Sequence, residues 1–378
     1  MEFVPFNRPH MTGKELYYIA QANFFGKLAG DGPYTKNCHS YLEKICNSKK
    51  ALLTHSCTAA LEMQSLLLNI NSGDEVIMPS YTFVSTANAV ALRGGVPVFV
   101  DIRADTLNIN ENLIEEAITS KTVAIAPVHY AGVGCEMDKI MKIAENFNLR
   151  VIEDAAQGFL STYKDKPLGS IGHMGALSFH ETKNVISGEG GALLINDQDY
   201  IRQAEIIREK GTDRSRFFRG EVDKYTWQEV GSSYLPGELI AAFLWAQLEE
   251  ATEITAKRLE HWNNYNNMLA GAEKKGLLRR PIIPDECKHN GHMYYIILDS
   301  SFNRQNILEY LKANNIHAVF HYVPLHKSPA GRKYCRTHGN LNCTELLSSL
   351  LIRLPLWYDM SVNAQEFVID RLLKILNK

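Results

Sequence analysis

Short apolar runs alternate with amphipathic segments over residues 51–195, and this alternation is the main pattern in the chain. Each run is only a few residues long and stops at a polar residue, which is typical of a buried strand. The predicted strands are Ala51–Thr54, Glu75–Met78, Val98–Val100, Val123–Val128, Val151–Glu153 and Ala192–Ile195. The segments between them, such as Met137–Phe147, carry apolar residues at helical spacing. This alternation predicts an α/β fold whose central sheet is mostly parallel and covered by helices on both faces.

The pattern changes near residue 250. A long helical region ends at about Met268, and the remaining residues predict two strands, 292–298 and 317–322, with helices between and after them. We therefore expect two domains. The large domain, with an N-terminal arm, would cover residues 1–250, and a small C-terminal α+β domain would cover residues 251–378.

The composition argues against several functional classes. Of the 378 residues, 45% are hydrophobic and 22% are charged, and the formal net charge is −2, which gives no support to a nucleic-acid partner. No apolar stretch is long enough to cross a bilayer, and the N-terminus lacks the basic and apolar regions of a signal peptide. The seven cysteines are scattered without a C-x-x-C pair, which fits reduced thiols in the cytoplasm and gives no indication of a metal site.

Three polar side chains follow apolar runs in the middle of the chain. Asp154 follows Val151–Glu153, Ser178 ends the run that begins at Ala176, and Lys183 comes shortly afterwards. Pyridoxal phosphate requires a lysine for a Schiff base, an acid for its pyridinium nitrogen and hydroxyls for its phosphate. The alternative is an ordinary strand end beside a solvated surface lysine, which is the common role of a lysine.

Further candidates lie at neighbouring strand ends, where α/β sheets bind their ligands. The turn at Ser56 opens a helix whose N–H groups favour a phosphate, with Cys57 and Thr58 as contacts, or it is simply a helix capped by Ser56. Phe83 is suited to stack on a flat cofactor ring, or it is a plain core aromatic. His129 is suited to proton transfer near neutral pH, or it is a hydrogen-bonded structural histidine. Because these positions lie at one edge of the predicted sheet, we expect them to converge on one cleft.

Residues 212–235 predict a long polar connection, and loops of this length in compact domains are usually functional. Arg214, Arg219 and Lys224 lie in it. Arginine suits a pyrophosphate or a carboxylate, so these residues are candidates for substrate binding. A solvated loop charge is the ordinary alternative for each of them.

A set of short motifs occurs in a fixed order along essentially the whole chain. They are Phe6–Pro9, Ser56–Leu61, Pro79–Phe83, Pro127–Gly132, Glu153–Gln157, Ser178–Asn184, His321–His326 and Leu354–Leu356. Together they resemble the sugar-nucleotide aminotransferases of the DegT/DnrJ group, which are pyridoxal phosphate enzymes of fold type I. The resemblance implies that Lys183 binds the cofactor covalently. It supports transamination, because related dehydratases carry histidine at this position.

The resemblance also implies roles for other residues. Asp154 pairs with the pyridine nitrogen, Gln157 contacts the ring-side oxygen or packs the ring, and Ser178 contacts the phosphate. Tyr322 and His326 are implied to face the substrate, where the alternative is packing at the junction of the domains.

One departure from the wider family concerns a second subunit. Many members have Gly-x-Asn-x-Arg where this chain reads Gly231–Leu235, and that asparagine usually reaches the cofactor phosphate of the partner subunit. Ser233 stands at the asparagine position and offers a hydroxyl instead. The resemblance thus implies a homodimer with a shared active site.

The stretches 27–32, 217–227 and 231–235 are most similar to family members that act on dTDP-4-keto-6-deoxy-D-glucose. The resemblance implies that L-glutamate gives its amino group to this sugar, forming dTDP-4-amino-4,6-dideoxy-D-galactose for surface polysaccharides such as lipopolysaccharide or enterobacterial common antigen. The alternatives are the 4-amino-4,6-dideoxyglucose epimer and a 3-amino sugar. A regulator that binds pyridoxal phosphate without turnover is a further alternative, against which the intact Lys183 argues. A dinucleotide-binding enzyme lacks support, because no G-x-G-x-x-G follows the first strand.

Overall fold

The computed structural model describes residues 3–377. Met1, Glu2 and Lys378, which the predicted domain ranges include, lie outside the described residues. The strands are β1 (Lys50–Thr54), β2 (Glu75–Pro79), β3 (Val96–Val100), β4 (Thr122–Ile125), β5 (Arg150–Asp154), β6 (Thr162–Tyr163), β7 (Lys166–Pro167), β8 (Met174–Ser178), β9 (Gly191–Ile195), β10 (Leu278–Arg279), β11 (Cys287–Lys288), β12 (Tyr294–Leu298), β13 (Arg336–Thr337) and β14 (Leu351–Leu354).

The helices are α1 (Glu15–Phe24), α2 (Pro33–Ile45), α3 (Cys57–Leu67), α4 (Val84–Ala91), α5 (Ile114–Ala117), α6 (Met137–Asn146), α7 (Ile201–Arg208), α8 (Arg214–Phe218), α9 (Glu238–Glu249), α10 (Ala251–Met268), α11 (Ala270–Lys274), α12 (Arg304–Ala313), α13 (Pro329–Tyr334), α14 (Asn342–Leu350) and α15 (Val362–Leu376). Short 3₁₀ helices cover Glu111–Leu113, Tyr130–Gly132, Gln198–Tyr200 and Leu325–Lys327.

The large sheet has the strand order β1-β9-β8-β5-β4-β2-β3-β13. Strand β9 is antiparallel to β1 and β8, and the other neighbouring pairs are parallel. Adjacent residues of a strand face opposite sides of the sheet. Val151 accordingly packs in a core cluster with α2, α6 and α9, and Ile152 packs in a second cluster with α3 and α4. The predicted α/β fold with a mostly parallel sheet is therefore confirmed.

The C-terminal residues form a smaller sheet of order β10-β12-β14, and helices α10, α12 and α15 pack around it. A third core cluster lies here and combines Val4 of the N-terminal arm with residues from Trp262 to Leu376. The boundary at residue 250 stays a prediction. Two short strands of this C-terminal part pair with earlier ones, since β11 joins β6 and β13 extends the large sheet beside β3.

Three local predictions are corrected. Segment 317–322 is not a strand, because its backbone makes only an isolated bridge from Val319 to Arg353 before it runs on into a cavity. The predicted connection 212–235 contains helix α8. The helical region after Pro236 is two helices, which meet at Glu250, where the backbone departs from helical geometry.

Candidate active site

A cavity of about 580 Å³ opens at the carboxyl ends of the parallel strands. Strand β5 contributes Asp154 to its lining and strand β8 contributes Ser178, while Phe6 comes from the N-terminal arm and Tyr322 from the C-terminal part. A ligand in this cavity would therefore contact widely separated segments of the chain.

The turn before α3 forms one end of the cavity. Ser56 has an extended backbone, and its hydroxyl accepts the N–H of Ala59 at 3.1 Å, so it caps the helix. Cys57 and Thr58 follow in the first turn, where helical N–H groups have no acceptor of their own, and both line the cavity. The Thr58 hydroxyl lies 2.8 Å from that of Ser85. The Ser56 cap is therefore present, and it leaves the turn facing the cavity, where an anion site stays a prediction.

A glycine allows the neighbouring strand to approach this turn. A Cβ atom at Gly191 would lie 2.5 Å from the backbone nitrogen of Cys57, which is closer than real Cβ atoms come. Gly191 pairs with Ser178 across β8 and β9. Ser178 lines the same cavity as the turn, and a hydroxyl and free N–H groups both suit a phosphate.

Asp154 is fixed at the end of β5 by two donors. Its Oδ2 accepts the hydroxyl of Thr86 at 2.7 Å, and its Oδ1 accepts the N–H of Ala156 at 3.1 Å. These two hydrogen bonds fix the orientation of the carboxyl group. The side chain is only 4% exposed, yet it lines the cavity, so it can pair with one buried cationic group of a ligand.

Phe83 is the residue immediately before α4 and lines the cavity with 56% of its surface exposed. Its ring is inclined to that of Tyr322, with the centroids 6.2 Å apart. An exposed aromatic face in a cavity fits a flat ring of a ligand. The alternative of a plain core aromatic does not hold.

Lys183 lies in the loop between β8 and β9 and also lines the cavity. Burial lowers the pKa of its amine, and the positive charge of Arg353 acts in the same direction. Cys57 and Asp154 oppose this change by raising the pKa. A lowered pKa increases the neutral, nucleophilic fraction of the amine near neutral pH.

Gln157 has both ends of its amide engaged. Its oxygen accepts the N–H of Ala131 at 2.7 Å, and its nitrogen donates to the hydroxyl of Tyr322 at 2.8 Å. Both Gln157 and Tyr322 line the cavity. Gln157 therefore orients Tyr322, and its contact with a cofactor ring stays a prediction.

The placement of His129 in the cleft is corrected. Its side chain is 0% exposed and is absent from the cavity lining among the described residues. Its Nδ1 accepts the N–H of Cys135 at 3.2 Å, and its Nε2 lies 2.8 Å from Oε2 of Glu153. Both ring nitrogens are occupied, so the structural alternative fits and a substrate contact does not.

Glu153 connects this histidine to a nearby loop. Besides His129, its carboxylate accepts the N–H groups of Gly169, Ile171 and Gly172 at 2.8, 2.7 and 2.5 Å. Glu153 is followed directly by Asp154 at the end of β5. The buried hydrogen bonds of Glu153 therefore fix the strand end that carries Asp154.

The structure brings most predicted cofactor residues together, and these are Cys57, Thr58, Phe83, Asp154, Gln157, Ser178 and Lys183, with Tyr322 from the substrate candidates. It does not bring the loop charges to the cavity of the same chain. Arg219 pairs with Glu205 and Glu221, and Lys224 is exposed. His326 contacts Ser80 and Glu345 instead of the cavity. Ser233 is exposed, and its role toward a partner subunit stays a prediction.

Sequence reasoning missed Arg353 and His292, which also line the cavity. The one available signal for Arg353 is a charge inside the apolar strand β14, which reads Leu-Ile-Arg-Leu. His292 carries no such signal, because it lies just before a buried strand like many ordinary residues.

These residues fit pyridoxal phosphate. The turn at Cys57 suits its phosphate, Phe83 its flat ring, Asp154 its ring nitrogen and Lys183 its aldehyde. Within residues 3–377 there is no group of three or more metal-ligating side chains that could hold an ion. No helix in that part of the chain is long and apolar enough to cross a membrane.

The chain is similar to known proteins in sequence and in structure. The sequence pattern of the DegT/DnrJ/EryC1/StrS aminotransferase family matches residues 9–373. An uncharacterized protein of Methanocaldococcus jannaschii is 35% identical over 92% of this chain and 91% of its own length. The spore coat polysaccharide biosynthesis protein SpsC of Bacillus subtilis is 33% identical over 88% and 86%. The crystal structure of a DegT DnrJ EryC1 StrS aminotransferase from Brucella abortus superimposes with a TM-score of 0.88, at 28% identity over 97% and 96% of the two chains.

Proposed function

The chain belongs to the DegT/DnrJ/EryC1/StrS aminotransferase family, which depends on pyridoxal phosphate, and from this premise we propose that it moves the amino group of L-glutamate to a 4-keto-6-deoxy sugar nucleotide. The proposed acceptor is dTDP-4-keto-6-deoxy-D-glucose, and the product is dTDP-4-amino-4,6-dideoxy-D-galactose. The observation that carries the proposal is the convergence of Lys183, Asp154 and the turn at Cys57 on one cavity. A role in surface polysaccharide synthesis is supported by the name of the Bacillus subtilis relative.

Lys183 is the proposed proton carrier. When bound, pyridoxal phosphate supplies an electron sink and a carbonyl group that carries the amino group from donor to acceptor. The Nζ atom of Lys183 would move a proton from Cα of the donor to C4′ of the bound cofactor, first as general base and then as general acid, and the half-reaction with the keto sugar would run this transfer in reverse. Its lowered pKa favours the neutral amine that this step requires.

Asp154 is the proposed partner of the cofactor ring nitrogen. A carboxylate in contact with that nitrogen favours its protonated form, because opposite charges stabilise each other. Thr86 and Ala156 hold the two oxygens of Asp154 in place. Asp154 thereby keeps a positive charge where electrons collect during proton removal at Cα.

The proposed assembly is a homodimer in the cytoplasm. The exposed Ser233 and the loop charges Arg219 and Lys224 lie outside the cavity of their own chain. We infer that they face the cavity of a partner subunit, as the family pattern suggests for the position of Ser233. A cross-linking mass spectrum with linkages from residues near Ser233 to the turn at Cys57 of a second chain would support this. A monomer in solution would contradict it.

The test of the function separates the two half-reactions. Purified protein is reconstituted with pyridoxal phosphate, mixed with L-glutamate, and assayed for 2-oxoglutarate. The protein is then freed of amino donor and given dTDP-4-keto-6-deoxy-D-glucose. We expect one equivalent of 2-oxoglutarate per site and one equivalent of amino sugar, whose position and configuration NMR determines. A 3-amino sugar or the gluco epimer would correct the product, and no reaction with the keto sugar would refute the acceptor.

Lys183→Ala is the decisive variant. It should abolish transamination while pyridoxal phosphate is still retained, because the turn at Cys57 and Asp154 remain. Lys121→Ala is the matched control, since Lys121 is an exposed lysine away from the cavity. Unchanged turnover in Lys183→Ala would remove this amine from the mechanism.

A further inference from the structure

Arg353 is a charged residue in an otherwise buried strand. The other residues of β14 are Leu351, Ile352 and Leu354, which are at most 1% exposed. Residue 353 pairs with Tyr295 of β12, and its side chain lines the cavity. The strand therefore carries a guanidinium to the wall of the active site, at a position where an apolar residue would suit the sheet equally well.

This guanidinium has no anionic partner among the described residues. None of the ion pairs among residues 3–377 includes Arg353, and its buried Nε has no hydrogen-bond acceptor there. The ring of Phe6 lies against it, with the guanidinium carbon 4.5 Å from the ring centroid. The buried arginines Arg258 and Arg208 differ from the partly exposed Arg353. Arg258 donates to the carbonyls of Gly291 and His292, and Arg208 pairs with Asp31.

Arg353 is also one of the few cations of the cavity. Burial lowers the pKa values of His292 and His321 well below their usual range, so both rings are uncharged. Burial lowers the pKa of the Arg353 guanidinium as well, yet arginine is not deprotonated in proteins. Burying a charge is costly unless the charge is paired and hydrogen-bonded. The cavity thus holds a fixed positive charge that a ligand anion can neutralise.

We propose that Arg353 binds a carboxylate group of the amino donor. The planar fork of a guanidinium matches the two oxygens of a carboxylate and forms two parallel hydrogen bonds with it. The cation–π contact with Phe6 holds the fork and shields one of its faces from water. The inference rests on the proposed function, because a carboxylate-bearing amine has to enter this cavity.

The position of Arg353 favours a carboxylate over the diphosphate of the sugar nucleotide. Arg353 and Lys183 line the same cavity of about 580 Å³, so the guanidinium and the amine face one space. In an amino acid the carboxylate is attached to the carbon that reacts. In the proposed acceptor the hexose ring separates the reacting C4 from the diphosphate on C1. A cation near Lys183 is therefore better placed for the donor than for the diphosphate.

The test compares Arg353→Gln and Arg353→Lys with Arg304→Gln. Arg304 is the matched control, because it also lies in the C-terminal part, packs on the ring of Phe320 and donates to a backbone carbonyl, but does not line the cavity. Calorimetry measures the binding of glutarate, a dicarboxylate that has no amine to react. Stopped-flow absorbance measures the half-reaction with L-glutamate. The half-reaction with the keto sugar starts from protein loaded with pyridoxamine phosphate.

In Arg353→Gln we expect kcat/KM for L-glutamate and the affinity for glutarate to fall about 10- to 100-fold, the usual effect of losing one charged hydrogen-bonded pair. The keto-sugar half-reaction should stay within about 2-fold. Arg353→Lys should recover part of the loss, and Arg304→Gln should resemble the wild type. L-Glutamine identifies the carboxylate. Equal losses for both donors assign the α-carboxylate, and a loss for L-glutamate alone assigns the side-chain carboxylate.

Three results would overturn the inference. Unchanged kinetics would show that Arg353 does not contact the donor. A loss in the keto-sugar half-reaction alone would assign the guanidinium to the diphosphate, and equal losses in both halves with a lowered melting temperature would assign it a structural role. If the wild type reacts with no amino acid, the proposed function fails, and glutarate binding still tests Arg353 by itself.

Discussion

Replacing Glu153 with glutamine should destabilise the protein strongly although it changes only one atom. Glu153 is fully buried. Its Oε2 accepts from His129 and from the N–H of Gly169, and its Oε1 accepts from the N–H groups of Ile171 and Gly172. Each oxygen thus receives two donors, and a carboxylate can accept all four bonds.

The magnitude follows from this count. A glutamine amide has one oxygen and one NH₂ group, so either orientation points the NH₂ group at two buried donors. A buried donor without an acceptor costs about 1–3 kcal/mol. Two such donors lower the free energy of unfolding by about 2–6 kcal/mol, which is a large part of the roughly 5–15 kcal/mol that stabilises a typical protein. A tautomer change at His129 does not remove the cost, because its Nδ1 would then face the N–H of Cys135.

Urea unfolding followed by circular dichroism measures this difference. Glu366→Gln is the control, because Glu366 is exposed on α15 and makes no ion pair or side-chain hydrogen bond within the described residues. We expect its unfolding midpoint to match the wild type. If Glu153→Gln also stayed within about 0.5 kcal/mol of the control, the range typical of surface substitutions, the hydrogen-bond count would not explain the stability of this strand end.

Two further predictions concern the cavity and the sheet beneath it. In the apoprotein, the pH dependence of reductive labelling with a small aldehyde should give Lys183 a pKa below 10.5. The substitution Asp154→Asn should lower this pKa further, because Asp154 raises it. A pKa of Lys183 that is unchanged or higher in Asp154→Asn would contradict the prediction. Gly175→Ala should lower the melting temperature, because a Cβ there would lie 2.1 Å from the carbonyl oxygen of Gly169 and such overpacking costs about 1–3 kcal/mol. Gly271→Ala on α11, with nothing within 4 Å of the added atom, should be neutral or stabilising, and equal melting temperatures for the two variants would refute the steric argument.

The sequence could predict those parts of the site whose positions depend on the local pattern of apolar and polar residues. Asp154 and Ser178 end apolar strands, and Cys57 follows a turn into a helix. In a parallel sheet such ends meet at one edge, so the pattern along the chain predicts their convergence. The sheet, and the gathering of the predicted cofactor residues at one cavity, therefore followed from periodicity and motif order.

Other parts depend on contacts that no local pattern contains. His129 also lies at the end of a predicted strand, but its ring pairs with the buried Glu153 and does not line the cavity. Segment 317–322 has strand-like residues, yet only Val319 finds a partner. Arg353 enters the site from a strand whose place depends on the packing of the C-terminal part. Burial, partner choice and long-range pairing decide these cases.

The contact between Phe6 and Arg353 has a consequence for the order in which the molecule can be completed. The two residues are far apart in the sequence, and bringing together the ends of a longer loop costs more conformational entropy. The turn at Cys57, Asp154 and Lys183 all come from the first half, which leaves the ribosome earlier. The end of the cavity that suits the cofactor can therefore assemble while synthesis is under way. The opposite wall forms only after the strand that carries Arg353 has been made and Phe6 has packed against it.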